Sequence, residues 1–203
     1  MAGQRGPYSK TPEVRARIID AASEMFAASG YRGTTMKDIA GMCGLTAKGV
    51  SHHFASKDEL LMEVLAARDL EGRKVADEAS DASASFEILF ESLAATRHEP
   101  RLVELYAVLS AEAISPDHPA HEYHQQRYGQ VRDEFEYLIE KVVRGREGDT
   151  APSARDLASL LIAVIDGLQL QWLYDADAID LERLVRTFVA RILSSDQLPT
   201  AAG

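Results

Sequence analysis

Apolar positions recur at helical spacing along almost the whole chain. Val14, Ile18, Ala21, Ala22, Met25 and Phe26 fall three or four apart, which predicts one apolar face of a helix. Thr11-Pro12 reads as its entry: an N-cap, then a proline whose missing N–H costs nothing at the first helical position. Gly30 reads as its stop, with Tyr31 placed to pack back on the helix end. Thr35 and Asp38 are spaced as a capping box for a second, short helix, whose buried face is expected to be Ile39, Ala40 and Met42. Gly44 ends that helix, and Thr46 caps a third carrying Val50 and Phe54. Ser56 with Glu59 opens a longer one through Leu60, Leu61, Val64 and Leu65.

Beyond this head the pattern loosens and returns. Residues 77–85, DEASDASAS, are small and polar and read as a loop or a frayed helix end. Helical periodicity resumes at Phe86, Ile88, Leu89, Phe90 and Leu93, and again at Leu102, Leu105, Tyr106 and Leu109. A break at 115–119, SPDHP, precedes a helix predicted from Tyr123 to Val143. REGDTAPS, 146–153, reads as a loop, and two apolar helices follow over roughly 154–175 and 180–194. No strand alternation and no internal repeat interrupts this. The expected fold is all-α, with about nine helices. The expected division is a three-helix head over residues 1–56 with a flexible N-terminal arm, and a larger helical body over 57–203 with a frayed tail.

Charge sharpens the division. Residues 1–57 carry eight Lys and Arg against four Asp and Glu, although the whole chain has a formal net charge of −10. A positive head on a negative body implies that only the head meets a polyanion. The hydrophobic fraction, 46%, is that of an ordinary globular protein. No uninterrupted apolar run approaches the roughly 18 residues that cross a bilayer, and no secretory leader is legible, so a cytoplasmic protein without a membrane partner is expected. Cys43 is the only cysteine, in keeping with a reducing compartment.

The head has the parts that a helix-turn-helix requires. Such a unit lays its second helix in the DNA major groove while the first braces it across the backbone. Gly44 suits the turn, because it tolerates left-handed dihedrals. Val50 is an inward anchor, and Thr46, Ala47, Lys48, Gly49, Ser51 and His52 give the second helix a small or polar start. Gly49 costs such a helix about 0.5–1 kcal/mol relative to Ala. It suits a place where a backbone must approach something closely. The stretch TTMKDIA, GLT, VSHHF and SKDELL, with AA, MFA and GY-GTT before it, resembles the DNA-binding domain of the tetracycline-repressor (TetR) family over roughly residues 12–62. DGLQLQWLYD, 166–175, is also similar to members of that family.

The resemblance implies a homodimeric regulator, repression being its expected sign, that binds a palindromic double-stranded operator and releases it when a small-molecule effector binds the body. By position, Thr35 and Lys57 resemble backbone-phosphate contacts, and Thr46, Lys48, Gly49, Ser51 and His52 the set facing bases and groove. His53 resembles either a phosphate contact or a structural plug, and Phe54 is core. Ser51 stands where the family usually has Tyr, Lys48 where Gly or Pro is common, and Gly49 where Thr or Ala is common.

His118, His121 and His124 are three apart, but Pro119 disrupts the first turn and a solvated helix start explains the run, so no metal site is expected. Cys43 reads as a small buried thiol. No nucleophilic triad and no phosphate-cradling loop is legible, which points away from an enzyme and from any cofactor. The aromatics Phe90, Tyr106, Tyr128 and Trp172, with Gln169, are the candidate effector contacts, since such pockets are apolar with a few placed polar groups. The last two helices, with Leu160, Leu161, Val164, Ile165 and Leu168 on one and Leu184, Val185, Phe188, Val189 and Ile192 on the other, carry the expected dimer face. Two other classes compete with this reading: a zinc-dependent helical enzyme on the histidine run, and a helical ligand carrier that binds no DNA.

Overall fold

The computed structural model describes residues 12–76, 82–98, 100–143 and 152–194. The expected cap at Thr11 and the loop residues 77–81 and 146–151 lie outside that set. The described residues form nine α-helices and no strand: α1 Pro12–Gly33, α2 Met36–Met42, α3 Ala47–Ser51, α4 Lys57–Ala76, α5 Ala82–Ala95, α6 Pro100–Glu112, α7 His121–Val143, α8 Ala154–Tyr174 and α9 Leu181–Ser194. A short 3₁₀ turn, Thr96–His98, follows α5. The chain divides into two compact units. One takes the residues up to Glu71 together with Glu104–Ala120, and the other takes Gly72–Val103 with everything from His121 onward.

In the first unit the predicted apolar faces converge. Ile18, Ala22, Phe26, Ile39, Val50, Phe54, Leu60, Leu61 and Leu65 are fully out of solvent, joined by Leu105 and Leu109 from the part of α6 that begins at Glu104. Each large side chain buried this way contributes about 1.5–3 kcal/mol. The second helix buries Ile39, Ala40 and Cys43, whereas Met42, expected inside, is 47% exposed. On a helix this short, residue 43 completes the stripe begun at 39, and residue 42 is carried off it. Cys43 Sγ donates to the Ile39 carbonyl at 2.9 Å, and burial pushes the thiol above its ordinary range.

In the second unit Phe86, Phe90, Leu93, Ile139, Leu157, Leu161, Trp172, Val185 and Val189 form one core. Phe86 and Phe90 stack at 6.3 Å between ring centroids. Of the two readings of the small polar run, loop or helix end, the described residues 82–85 follow the second. Those small residues are the first turn of α5, because the helix that seats Phe86 and Phe90 must begin before them. Outside the core, Arg186 clasps Glu87 with two bonds of 2.8 and 3.0 Å and lies 4.1 Å over the Phe90 ring. The two carboxylates beside it, Glu87 first, raise its already high pKa further. Arg155 similarly ties α8 to α7 through Glu136 and Asp133.

The helix α8 opens on a full capping box, Ser153 with Asp156. It also corrects the membrane argument drawn from the sequence. With 21 residues and a mean hydropathy of 1.4 over its best window, it has the length and composition to cross a bilayer. A count of uninterrupted apolar residues misses it because a polar residue such as Asp166 breaks the run. Its inward stripe is Leu157, Ala158, Leu161, Ile162 and Trp172, while Leu160, Leu170 and Tyr174 stand 51%, 49% and 92% exposed. On α9, by contrast, Val185 and Val189 turn into the unit's own core.

Candidate nucleic-acid interface

The turn between α2 and α3 is built by local chemistry. Thr35 accepts from the Asp38 N–H while the Asp38 carboxylate accepts from the Thr35 N–H and hydroxyl, the reciprocal box that the spacing predicted. Those bonds hold the Asp38 carboxyl below the usual carboxylate range. At the other end Gly44 has φ 65°, Leu45 N–H reaches the Ala40 carbonyl at 2.8 Å, and Gly44 N–H reaches Gly41 at 3.2 Å. These two hydrogen bonds around a left-handed glycine close the helix from within. Thr46 then caps α3 through the Gly49 N–H at 3.0 Å.

Two anchors fix the outward face of α3. Val50 and Phe54 are fully buried, which leaves Thr46, Ala47, Lys48, Ser51 and His52 exposed and Gly49 and His53 half-buried. The expected groove residues, and Ala47 among them, therefore lie on the part of α3 and its two caps that these anchors leave open, Gly49 only partly so. Gly49 gains a second reason: a Cβ there would come within 3.3 Å of the capping Thr46 hydroxyl. Arg15, which sequence reasoning did not single out, secures the far end of α3. Its guanidinium lies 4.3 Å over the Phe54 ring, donates to the His53 carbonyl at 3.1 Å and pairs with Glu63 at 2.8 Å.

Of the two expected phosphate contacts, Thr35 is exposed at the start of α2, its hydroxyl already given to the capping box. Lys57 is half-buried, and its ammonium donates to the carbonyls of Tyr31 and Thr34 at 2.7 Å each, 4.0 Å above the Tyr31 ring. Thr34, fully buried, closes the same joint by donating to the carbonyls of Gly30 and Met25.

The candidate effector contacts fall in both units. Tyr106 belongs to the first and the other four to the second. Phe90 and Trp172 share the second core, and Gln169 is half-buried. Tyr128 donates to Asp166 at 2.9 Å, and burial raises the Asp166 carboxyl, an effect that this bond opposes. Trp172 also lines an open cleft of about 330 Å³ with Leu93, Leu181, Arg97, His98 and Asp180, a lining that includes none of the other candidates. Of the histidine run, His118 belongs to the first unit and His121 and His124 to the second. Among the described residues no group of three His, Cys, Asp or Glu is placed to hold a metal ion.

Comparison with known proteins agrees with this geometry. Residues 18–64 match the profile of bacterial regulatory proteins of the tetR family, and residues 87–194 match the C-terminal region of BetI-type transcriptional repressors. The HTH-type transcriptional repressor KstR2 of Mycobacterium tuberculosis is 43% identical over 51 residues, 25% of this chain and 26% of the relative. The HTH-type transcriptional regulator SrpR of Pseudomonas putida is 31% identical over 142 residues, 69% of this chain and 64% of the relative. The chain thus spans between about a quarter and two thirds of the length of these relatives. A transcriptional regulator from Saccharomonospora viridis, solved in complex with choline, superposes with a TM-score of 0.71 at 22% identity, over 91% of this chain and 98% of that one. The chain belongs to the tetR family of bacterial regulatory proteins.

Proposed function

We propose that this chain is a one-component transcriptional regulator, a repressor in sign, which holds a palindromic operator as a cytoplasmic homodimer and is released by a small molecule. It acts by binding rather than by catalysis. The observation that carries the DNA half is the outer side of α3, where Lys48, Ser51 and His52 stand exposed while Val50 and Phe54 fix the helix from behind. Groove contacts come from Thr46, Ala47, Lys48, Gly49, Ser51 and His52, and phosphate contacts from His53, the remaining donor of Lys57 and Thr35, whose hydroxyl exchanges Asp38 for the phosphate. Selection from a random duplex library tests this reading: a two-fold symmetric site should emerge, with half-sites a whole number of turns apart, about 34–36 Å or its multiple. A library that yields no preferred sequence would rule the reading out.

The dimer rests on α8. Leu160, Leu170 and Tyr174 lie along an apolar helix that its own unit leaves open. A paired copy of the same surface covers such a face symmetrically.

The effector half rests on Asp166. A part-buried carboxylate on an apolar helix, held by one phenol, is most cheaply neutralised by a cation. We therefore assign the effector as a mainly apolar, neutral or cationic molecule held in the second unit near Tyr128, Gln169, Phe90 and Trp172. An aromatic face adds about 0.5–2 kcal/mol for a cation. The choline complex of the structural neighbour supports the cationic choice.

A further inference from the structure

Two glycines of the first unit have positive φ, Gly44 after the end of α2 and Gly30 at a kink inside α1. At Gly44 the chain closes α2 with its own carbonyls. Gly30 has φ 70° and ψ 171°, a conformation essentially confined to glycine, and the next N–H, that of Tyr31, turns away from α1. It donates instead to the carboxylate of Glu112, 81 residues further on, at 2.7 Å. The carboxylate also fills the room that glycine leaves, because a Cβ at residue 30 would lie 2.5 Å from Glu112 Oε1. A second side chain from the same segment backs it. His118 is 3% exposed, meets the Tyr31 ring edge-on at 4.9 Å, and its Nδ1 accepts from the Ala120 N–H. The neutral ring therefore carries its proton on Nε2, which has no hydrogen-bond partner and faces Glu112 Oε2 at 3.8 Å.

We propose that Glu112 is a positioning residue for DNA recognition: it holds the Gly30–Tyr31 bend from which α2 and α3 are aimed. The inference rests on the reading that this unit binds DNA. The helix-turn-helix match ends at residue 64, so the recognition surface depends on a carboxylate outside it. Between Gly30 and the cap of α2 lie only four residues, Tyr31 to Thr34, whose carbonyls at Tyr31 and Thr34 are gathered by Lys57. A change of direction at the bend therefore passes to the recognition helix with little slack to absorb it.

The test uses the full-length protein. Glu112→Leu removes the acceptor of the half-buried Tyr31 N–H, and Glu112→Gln keeps an acceptor. With a duplex selected by the wild type, affinity per folded molecule should fall about tenfold or more in Glu112→Leu and stay within a few-fold in Glu112→Gln. Leu105→Ala, a cavity on the same helix, should lower the melting temperature without changing that affinity. Exchange of the Tyr31 amide, measured without DNA, should be slow in the wild type and in Glu112→Gln and fast in Glu112→Leu. Unchanged affinity in Glu112→Leu, or equal loss in Glu112→Gln, overturns the assignment. If no duplex is selected but exchange behaves as stated, the DNA reading fails while the Glu112 bond stands.

Discussion

Lys48 and Lys57 bring the same charge to the first unit, and their surroundings give it different work. Lys48 is exposed on the first turn of α3, so Lys48→Ala should weaken operator binding, lower the salt slope by about one and alter the bases recovered in duplex selection. Lys57 is committed to two carbonyls and an aromatic face. Lys57→Ala should lower affinity on all sequences alike and also lower the melting temperature, which a pure phosphate contact would leave unchanged. A recovered motif identical for wild type and Lys48→Ala would remove Lys48 from base readout. His118 sets a pH limit. Burial is the main cause that depresses its pKa below the ordinary 6.5, against the raising influence of Glu112, Asp117 and Asp58 and with the lowering influence of Arg32. The unfolded chain therefore takes up the proton first, and this group's share of stability is intact above pH 6.5 and is lost as pH falls through the folded value. Denaturant midpoints measured downward from pH 7 should fall less steeply in His118→Gln than in the wild type; parallel slopes would refute it.

At the scale of helices, much was legible because much is local. The capping box at Thr35, the cap at Ser56, the glycine turn at Gly44 and the anchors Val50 and Phe54 depend on residues a few positions apart, and spacing reveals them, whereas the box at Ser153 sits where the sequence reads only as the end of a loop. What spacing cannot reveal is a partner set by the tertiary fold. The bond from Tyr31 to Glu112, the Arg15 platform on Phe54 and the carbonyls held by Lys57 have no local signature. The same cause explains the early start of α5, where a run of Ala and Ser is drawn into helix by the phenylalanines after it. The effector contacts were the least legible, because aromatic residues that pack a core and those that line a pocket share one spacing. The open side of α8 carries a prediction. Leu170→Glu should convert a dimer at micromolar concentration into a monomer by sedimentation, while Val185→Ala, inside the core, should lower stability without changing mass. A wild type that sediments as a monomer would end the dimer proposal.

For the whole molecule, the proposed control is a linkage between two binding events. An effector that binds the released conformation more tightly must itself be bound less tightly when operator is present, by the same factor. Screening cationic and neutral compounds by thermal shift, then titrating operator with each hit, gives both sides of that factor. Asp166→Asn should weaken cationic hits about tenfold and leave neutral hits within two-fold, since only the former use the carboxylate charge. Equal losses for both classes would place the ligand elsewhere.

Cys43 gives the experimenter something the fold did not need. It is the sole thiol, 8% exposed, bonded to a carbonyl of its own helix and lifted in pKa, so a maleimide or disulfide reagent finds little thiolate to attack while the head is closed. Labelling therefore has to wait for α2 to come away from the unit, and its rate becomes a clock for that opening. No engineered reporter is required. Added operator should slow the clock in proportion to its occupancy, and labelling at the speed of a free thiol would show that the head stands open in solution.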